Sequence, residues 1–495
     1  MLAHKMLVKI ITSIVSSLLM FISLMIMARH VFSEYGIMMF GWSIVGLVNT
    51  LTDLGFDAAS VKFISQKKDL AACVSTHLFL KSILIGIMVL ITLVFLGVSI
   101  LTDSISMENA MVVLVFMIYF SMAGIAWVFI RTFDGRLEAA KSSLVQASDV
   151  SMRSIVLIIV ALAGSSAVIL STGYLVGAAF SIVIALILIR KIKIKLVRPV
   201  YLKEYVRFAR PVAVGLMLVA AISFTDRVIV GTFWGTDDLG YYSIAMGVAY
   251  AATSIGFAIN YVLLPKFSEM VSVSGNESLR VLVWNSEKYL SILFLPVIIF
   301  TMVFGNNIVT ALFGQDNEPA GIVLSILSVY IYLYIILGIL TQILLSTNNN
   351  RLYRNATIVF AVSTFIMLLI LVPENIGPLQ LAGYGPGGAA VAVTAGYLIF
   401  TILTSYYVKV STKLSLHKGL LRQFAAAAVV FVLIYYIEMT WSFGLPVLML
   451  LLLLCYILFI GLSMVFREIT KDDLASVMRT VNHRSAKKGT KKEKN

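Results

Sequence analysis

The sequence predicts an all-α integral membrane protein of about fourteen transmembrane helices, arranged as two six-span lobes with a further pair of helices appended. Three observations lead there. Hydrophobic residues make up 60% of the 495 residues and charged residues only 13%, far from a soluble domain. The apolar residues fall in about fourteen stretches, each close to the roughly 20 residues a helix needs to cross a bilayer. The basic residues alternate in step with those stretches. With the first span started from the cytoplasm, 34 of the 38 Lys and Arg lie in inside segments, and only Arg29 lies outside. Lys81, Arg153 and Arg227 remain within spans.

Taken in order, the spans lie near 10–29, 38–57, 78–102, 109–130, 143–164, 167–189, 211–234, 240–264, 289–313, 320–344, 355–373, 387–408, 419–437 and 443–466. Met1 to Lys9 is basic and runs into an apolar stretch with no small-residue cleavage site, which reads as a first span and not as a removed leader. The outside loops are short and acidic, with Asp103, Glu108, Asp237, Asp238, Asp316, Glu318, Glu374 and Glu438. Both termini are thus expected in the cytoplasm, with the chain in the cell membrane.

Residues 1–190 form the first lobe, 191–210 a basic cytoplasmic connector, 211–408 the second lobe, 409–466 the appended helix pair and 467–495 a basic cytoplasmic tail. The loop from Arg190 to Arg210 carries eight basic residues against Glu204 and suits the anionic inner leaflet. An internal repeat supports the division: Gly36, Lys62 and Phe63 recur 204 residues later as Gly240, Lys266 and Phe267. Such parallel repeats are a common transporter plan, with the substrate path between the lobes. Small residues recur every fourth position as Gly173, Gly177, Ser181 and Ala185, and again as Gly388, Ala392 and Gly396, a pattern that lets helices pack closely. Pro296 falls inside the ninth span, where it permits a kink.

Composition also excludes. The net charge of +14 is spread over many short loops and forms no single groove, which argues against nucleic acid. Cys73 and Cys455 are too few for a disulfide framework or a metal site. No glycine-rich phosphate loop ending in Lys and Ser or Thr occurs, so no nucleotide or other cofactor is expected. No outside loop is long enough for the extramembrane domain that a polymerase or glycosyltransferase usually needs, which argues against an enzyme.

Particular motifs resemble a known family. Asp53-Leu-Gly-Phe-Asp-Ala-Ala-Ser-Val-Lys-Phe-Ile-Ser65 closes the second span, and Asp226-Arg-Val-Ile-Val-Gly-Thr-Phe-Trp-Gly-Thr-Asp-Asp-Leu-Gly-Tyr-Tyr-Ser-Ile-Ala245 joins the seventh to the eighth. Leu264-Pro-Lys-Phe-Ser-Glu269 and Gly385-Pro-Gly-Gly-Ala-Ala-Val-Ala392 follow in the same order. Together they resemble the polysaccharide (O-antigen type) flippases of the multidrug, oligosaccharidyl-lipid and polysaccharide exporter superfamily. The resemblance implies two six-helix bundles around a central cavity that opens alternately to either side. It also implies a lipid-linked oligosaccharide as cargo, alongside membrane lipids and glycan biosynthesis enzymes as partners. The stretches Thr347 to Asn350 and Pro373 to Gly385 depart from the family habit and blur the ends of the eleventh span.

Such a cargo carries phosphate or diphosphate, and Arg suits it because a planar fork pairs phosphate oxygens and stays charged. An Arg at mid-membrane costs about 2.5–3.5 kcal/mol on insertion scales, so it is rarely accidental. Arg153 and Arg227, from opposite lobes, are therefore the first candidates for substrate binding, with Lys81 and Arg29 behind them. Each central Arg has a carboxylate neighbour, Asp149 or Asp226, so a structural ion pair competes with the cavity reading. Asp149 and Asp226 are also the candidates for Na+ or H+ coupling. Asp53 and Asp57 sit near the inside end of the second span as counter-ions, one of them expected beside Lys62. Export of negative charge from an inside-negative cell gains about 2.3 kcal/mol per charge per 100 mV, so the potential alone can bias transport. The rival from the same superfamily is a cation-coupled multidrug exporter, whose cavity would hold carboxylates and fewer arginines.

The charge ladder makes a direct prediction. A reporter fused after Lys494 and a cysteine placed at Asp237 report opposite sides of the membrane in a labelling assay; labelling of both from one side breaks the topology.

Overall fold

The computed structural model describes residues 2–190, 192, 197–273, 275–347, 349–414, 419–439, 444–466 and 468. Most of the basic tail and part of the basic connector lie outside the described residues. The first half of the chain forms α1 (Leu2–His30), α2 (Phe32–Asn49), α3 (Phe56–Ser65), α4 (Leu70–Leu101), α5 (Met107–Gly135), α6 (Ala139–Leu162) and α7 (Ala167–Arg190). The second forms α8 (Leu202–Trp234), α9 (Thr236–Val273), α10 (Gly275–Val303), α11 (Gly305–Phe313), α12 (Pro319–Ser346), α13 (Asn350–Leu371) and α14 (Gly385–Thr412). Two more, α15 (Leu420–Glu438) and α16 (Leu445–Val465), complete the described chain.

Thirteen of these helices are long and apolar enough to cross a membrane among the described residues. The helix in the place of the expected eighth span, α9, is 38 residues long and is not one of the thirteen. Lipid-facing surfaces are apolar, as on α4, where Ile83, Ile87, Leu90, Val94 and Val98 are all exposed. The protein is a multi-pass helical membrane protein.

The ends of three further spans have a physical reason. The second stops at Asn49 because Gly55 turns the chain at φ 92°, a left-handed conformation that glycine adopts without strain. Asp53 closes the turn by accepting the Gly55 and Asp57 amides, each at 3.2 Å, so Asp57 falls in the first turn of a separate short helix, α3. The ninth divides into α10 and α11 at Phe304, and Pro296 lies within α10. The eleventh is bounded by a small hairpin, Asn375–Ile376 against Leu379–Gln380, whose chain returns to donate Tyr384 N–H to Leu371 O at 2.9 Å.

The helical ends define two faces, one carrying the basic loops and the other the acidic ones. At the acidic face the two halves of the chain meet closely. A side-chain carbon at Gly36 would strike the Thr236 carbonyl, and one at Gly240 would come within 3.6 Å of the Gly36 Cα. The repeated glycines thus face one another where α2 meets α9. Phe32 packs on Tyr241 with ring centroids 4.6 Å apart, and Asn317 donates to the Ala28 carbonyl at 3.1 Å.

The small-residue stripes pack helices within each half. Gly173 lies against Leu157, Gly177 against Asp149 and Arg153, and Gly388 against the Leu371 carbonyl. The last two helices pack on α10 and its neighbour α12. Tyr456 donates to Leu293 O at 2.6 Å, Cys455 Sγ lies 3.4 Å from Pro296 O, and Phe424 meets Tyr332 edge-on.

Candidate functional site

Arg153 lies on α6, one helical turn after Asp149, and its Nη1 is 3.5 Å from that carboxylate. The same nitrogen donates to the Tyr119 hydroxyl of α5 at 3.0 Å, while the Tyr174 ring of α7 lies 4.7 Å from the guanidinium carbon. A second oxygen of Asp149 has no hydrogen-bond partner among the described residues. Arg227 lies on α8. Its Nη1 donates to the Ser223 carbonyl one turn back at 2.6 Å and stands 3.8 Å from Asp226. Asp226 is itself engaged by the Tyr242 hydroxyl at 2.7 Å and by the Arg227 amide at 2.8 Å. The Arg227 guanidinium lies 5.6 Å from both the Trp42 and the Tyr250 rings, and its Nε has no hydrogen-bond partner among the described residues.

These two arginines, from different halves of the chain, line one pocket of 230 Å³ together with Tyr35, Trp42, Ser243 and Tyr250. Toward the basic face lies a larger cavity of 1310 Å³, also walled by both halves. Lys81, Arg131, Arg207, Arg351 and Arg354 line it, against the carboxylates Asp53 and Asp57. Between the two cavities stand Trp42, which lines the small one, and Phe224, which lines the large one. Their rings are 4.8 Å apart, one from each half, and Phe224 rests on Gly46, where any side chain would strike its ring.

Asp57 gathers two cations and an imidazole at the wall of the large cavity. His77 Nε2 is at 3.1 Å, Lys81 Nζ at 3.5 Å and Arg131 Nε at 3.2 Å. Burial pushes the Asp57 carboxyl up, but the hydrogen bond from His77 and the neighbouring charges outweigh it and hold the group well below the usual carboxylate range. Lys62 is not the partner expected for either aspartate. Because α3 leaves the line of α2 at Gly55, Lys62 sits over the Phe208 ring of α8, 4.5 Å from its centroid. Arg29 lies at the acidic face, where it donates to the Ala311 and Leu312 carbonyls at 2.7 Å each, satisfying the C-terminal end of α11. It is not among the residues lining either cavity.

Sequence reasoning missed His77, Arg131, Arg207, Arg351 and Arg354. His77 and Lys81 are four apart on one helix, a signal that was open to reading. The arginines were counted as topology signals, and their convergence depends on contacts between distant segments.

Residues 26–320 match the sequence model of the family described as "Polysaccharide biosynthesis protein". The chain belongs to that family. Another relative, the "Probable low-salt glycan biosynthesis flippase Agl15" of Haloferax volcanii, is 25% identical over 185 residues, 37% of each chain. The match therefore spans little more than a third of that relative's length. Among solved structures, this polysaccharide biosynthesis family member shares its fold with "Lipid II flippase MurJ, inward closed conformation". The TM-score is 0.74 at 15% identity, covering 93% of this chain and 99% of that one. An inward-facing multidrug resistance MATE family transporter of the MOP superfamily gives a TM-score of 0.63 at 12% identity, covering 82% and 98%. The resemblance carried by the sequence motifs holds, and the fold is helical apart from one small hairpin.

The aromatic pair predicts a labelling result. In the Ser243→Cys variant, a membrane-impermeant thiol reagent added at the basic face reacts slowly. Adding Phe224→Ala raises that rate by about tenfold or more, because access no longer waits for a local rearrangement. Equal rates in the two proteins contradict a partition at this pair.

Proposed function

We propose that the protein is a flippase that moves a lipid-linked oligosaccharide, of polyprenyl phosphate or diphosphate type, from the inner to the outer leaflet by alternating access. The observation that carries this reading is the convergence of Arg153 and Arg227 on one pocket, beyond a cavity lined by five cations. A hydrophobic tail can stay in the bilayer while a phosphate-bearing head crosses through a wet, cationic path. Family membership in polysaccharide biosynthesis supports the same cargo, as does the glycan flippase relative.

In this reading the basic face is cytoplasmic, as the charge rule favours, and both termini lie there in the cell membrane. Residues 1–190 and 211–408 act as two lobes that rock about the central pocket, with contacts such as Gly36 to Thr236 closing the outer side. The two appended helices brace the second lobe through α10. The protein is a carrier and not a catalyst, and the enzymes that build and consume the glycan are its functional partners. Export of the phosphate charge draws on the membrane potential, with Asp149 and Asp226 as the carboxylates that Na+ or H+ would address. The MATE-like fold favours a second reading, a cation-coupled multidrug exporter. Two buried guanidinium groups suit an anionic cargo better than a cationic drug.

Single and paired substitutions separate cargo binding from ion pairing. Arg153→Ala or Arg227→Ala lowers glycan export by about tenfold or more at equal membrane abundance, and Arg→Lys restores it only in part, since a point charge replaces a fork. The neutral pairs Asp149→Asn with Arg153→Gln, and Asp226→Asn with Arg227→Gln, recover stability because no lone charge stays buried, but not export. Full export in the paired variants removes both arginines from the cargo site.

A further inference from the structure

We infer that Asp57 is a built-in counter-anion for a phosphate site formed by Lys81 and Arg131: an arriving phosphate or diphosphate group takes these two cations over from the carboxylate. The inference starts from what reaches the cavity. Asp57, Lys81 and Arg131 all line it, whereas the His77 side chain is fully buried behind them. One face of the cluster is therefore open to a solute, and the other is fixed in the protein.

Charge and hydrogen bonding favour exchange. Asp57 accepts from His77 and Arg131 and lies 3.5 Å from Lys81, so one carboxylate faces two permanent cations. The second carboxylate in the wall, Asp53, is spent on the Gly55 and Asp57 amides. Arg207, Arg351 and Arg354, from the other half of the chain, add positive charge to the same cavity. A phosphate group offers more acceptor oxygens and more charge than a carboxylate, and guanidinium pairs it with two parallel bonds. When Lys81 and Arg131 turn to it, Asp57 keeps the His77 Nε2 contact, so the displaced carboxylate is not left without a donor. Arg131 keeps a second anchor in Asp134 at 3.4 Å and the Trp127 ring at 4.7 Å, which hold it at the wall. Carboxylate and incoming anion thus compete for the same two groups.

The inference takes its ligand class from the proposed anionic cargo, but its test needs no transport. Binding of inorganic pyrophosphate to the purified full-length protein in detergent is followed by the shift in thermal midpoint over a concentration series. The wild type shows a modest shift. Asp57→Asn melts lower without ligand, because His77, Lys81 and Arg131 lose their anion, and it binds pyrophosphate about tenfold more tightly. Arg131→Gln loses the shift. Farnesyl diphosphate provides the second arm: tighter binding than pyrophosphate assigns the site to a lipid-borne head, and equal binding assigns it to the diphosphate alone, and both support the exchange. Unchanged or weaker pyrophosphate affinity in a monodisperse Asp57→Asn protein overturns it. If Asp57→Asn does not accumulate, Arg131→Gln decides, and a full shift in that variant overturns the site. Normal pyrophosphate binding with no glycan export would fault the transport reading alone.

Discussion

A guanidinium group buried inside a membrane protein stays charged, so it must be given partners, and the core of this structure is arranged around that demand. Arg153 draws on Asp149 from its own helix, Tyr119 from α5 and Tyr174 from α7. Arg227 draws on its own helix through Ser223 and Asp226, and on the rings of Trp42 and Tyr250 from two other helices. Neither set is complete: an Asp149 oxygen and the Arg227 Nε lack hydrogen-bond partners among the described residues. The Arg227 Nε is an unfilled donor and suits an anion that comes and goes, whereas the open Asp149 oxygen is an acceptor and suits a proton or a cation.

That demand also explains the layout of the cavities. A wide, cationic cavity lies at the basic face, a small arginine pocket lies deeper, and the Trp42–Phe224 pair divides them. At the acidic face the same two halves are in close contact through Gly36, Gly240, Phe32 and Tyr241. One end is therefore walled by both halves around open volume, and the other is shut by backbone-close packing. Glycine at the repeated positions is what lets the backbones approach at the shut end.

Much of the fold was legible because a bilayer imposes a one-dimensional code. Hydrophobic length and the alternation of Lys and Arg mark spans without reference to tertiary contacts. Arg153 and Arg227 stood out for the same reason, as charges where none are tolerated cheaply. What escaped was set by contacts through space or by single backbone angles. The second span was read through to Asp57 because the left-handed turn at Gly55 leaves no mark in hydropathy. Lys62 was paired with the wrong neighbour as a consequence. The Asp57 cluster joins α3, α4 and α5, and the Trp42–Phe224 pair joins α2 to α8, so neither could be read from spacing along one helix.

Recognition of a phosphate-bearing head is tested most directly by a reconstituted transport assay. Purified protein in liposomes with an imposed potential is given a polyprenyl diphosphate-linked oligosaccharide, and arrival of the glycan in the opposite leaflet is read by its accessibility to a glycosidase. A matched lipid with the same glycan and chain but an uncharged linkage is run in parallel. The account predicts that the protein accelerates translocation of the diphosphate-linked lipid and not of the uncharged one; equal acceleration of both would contradict it.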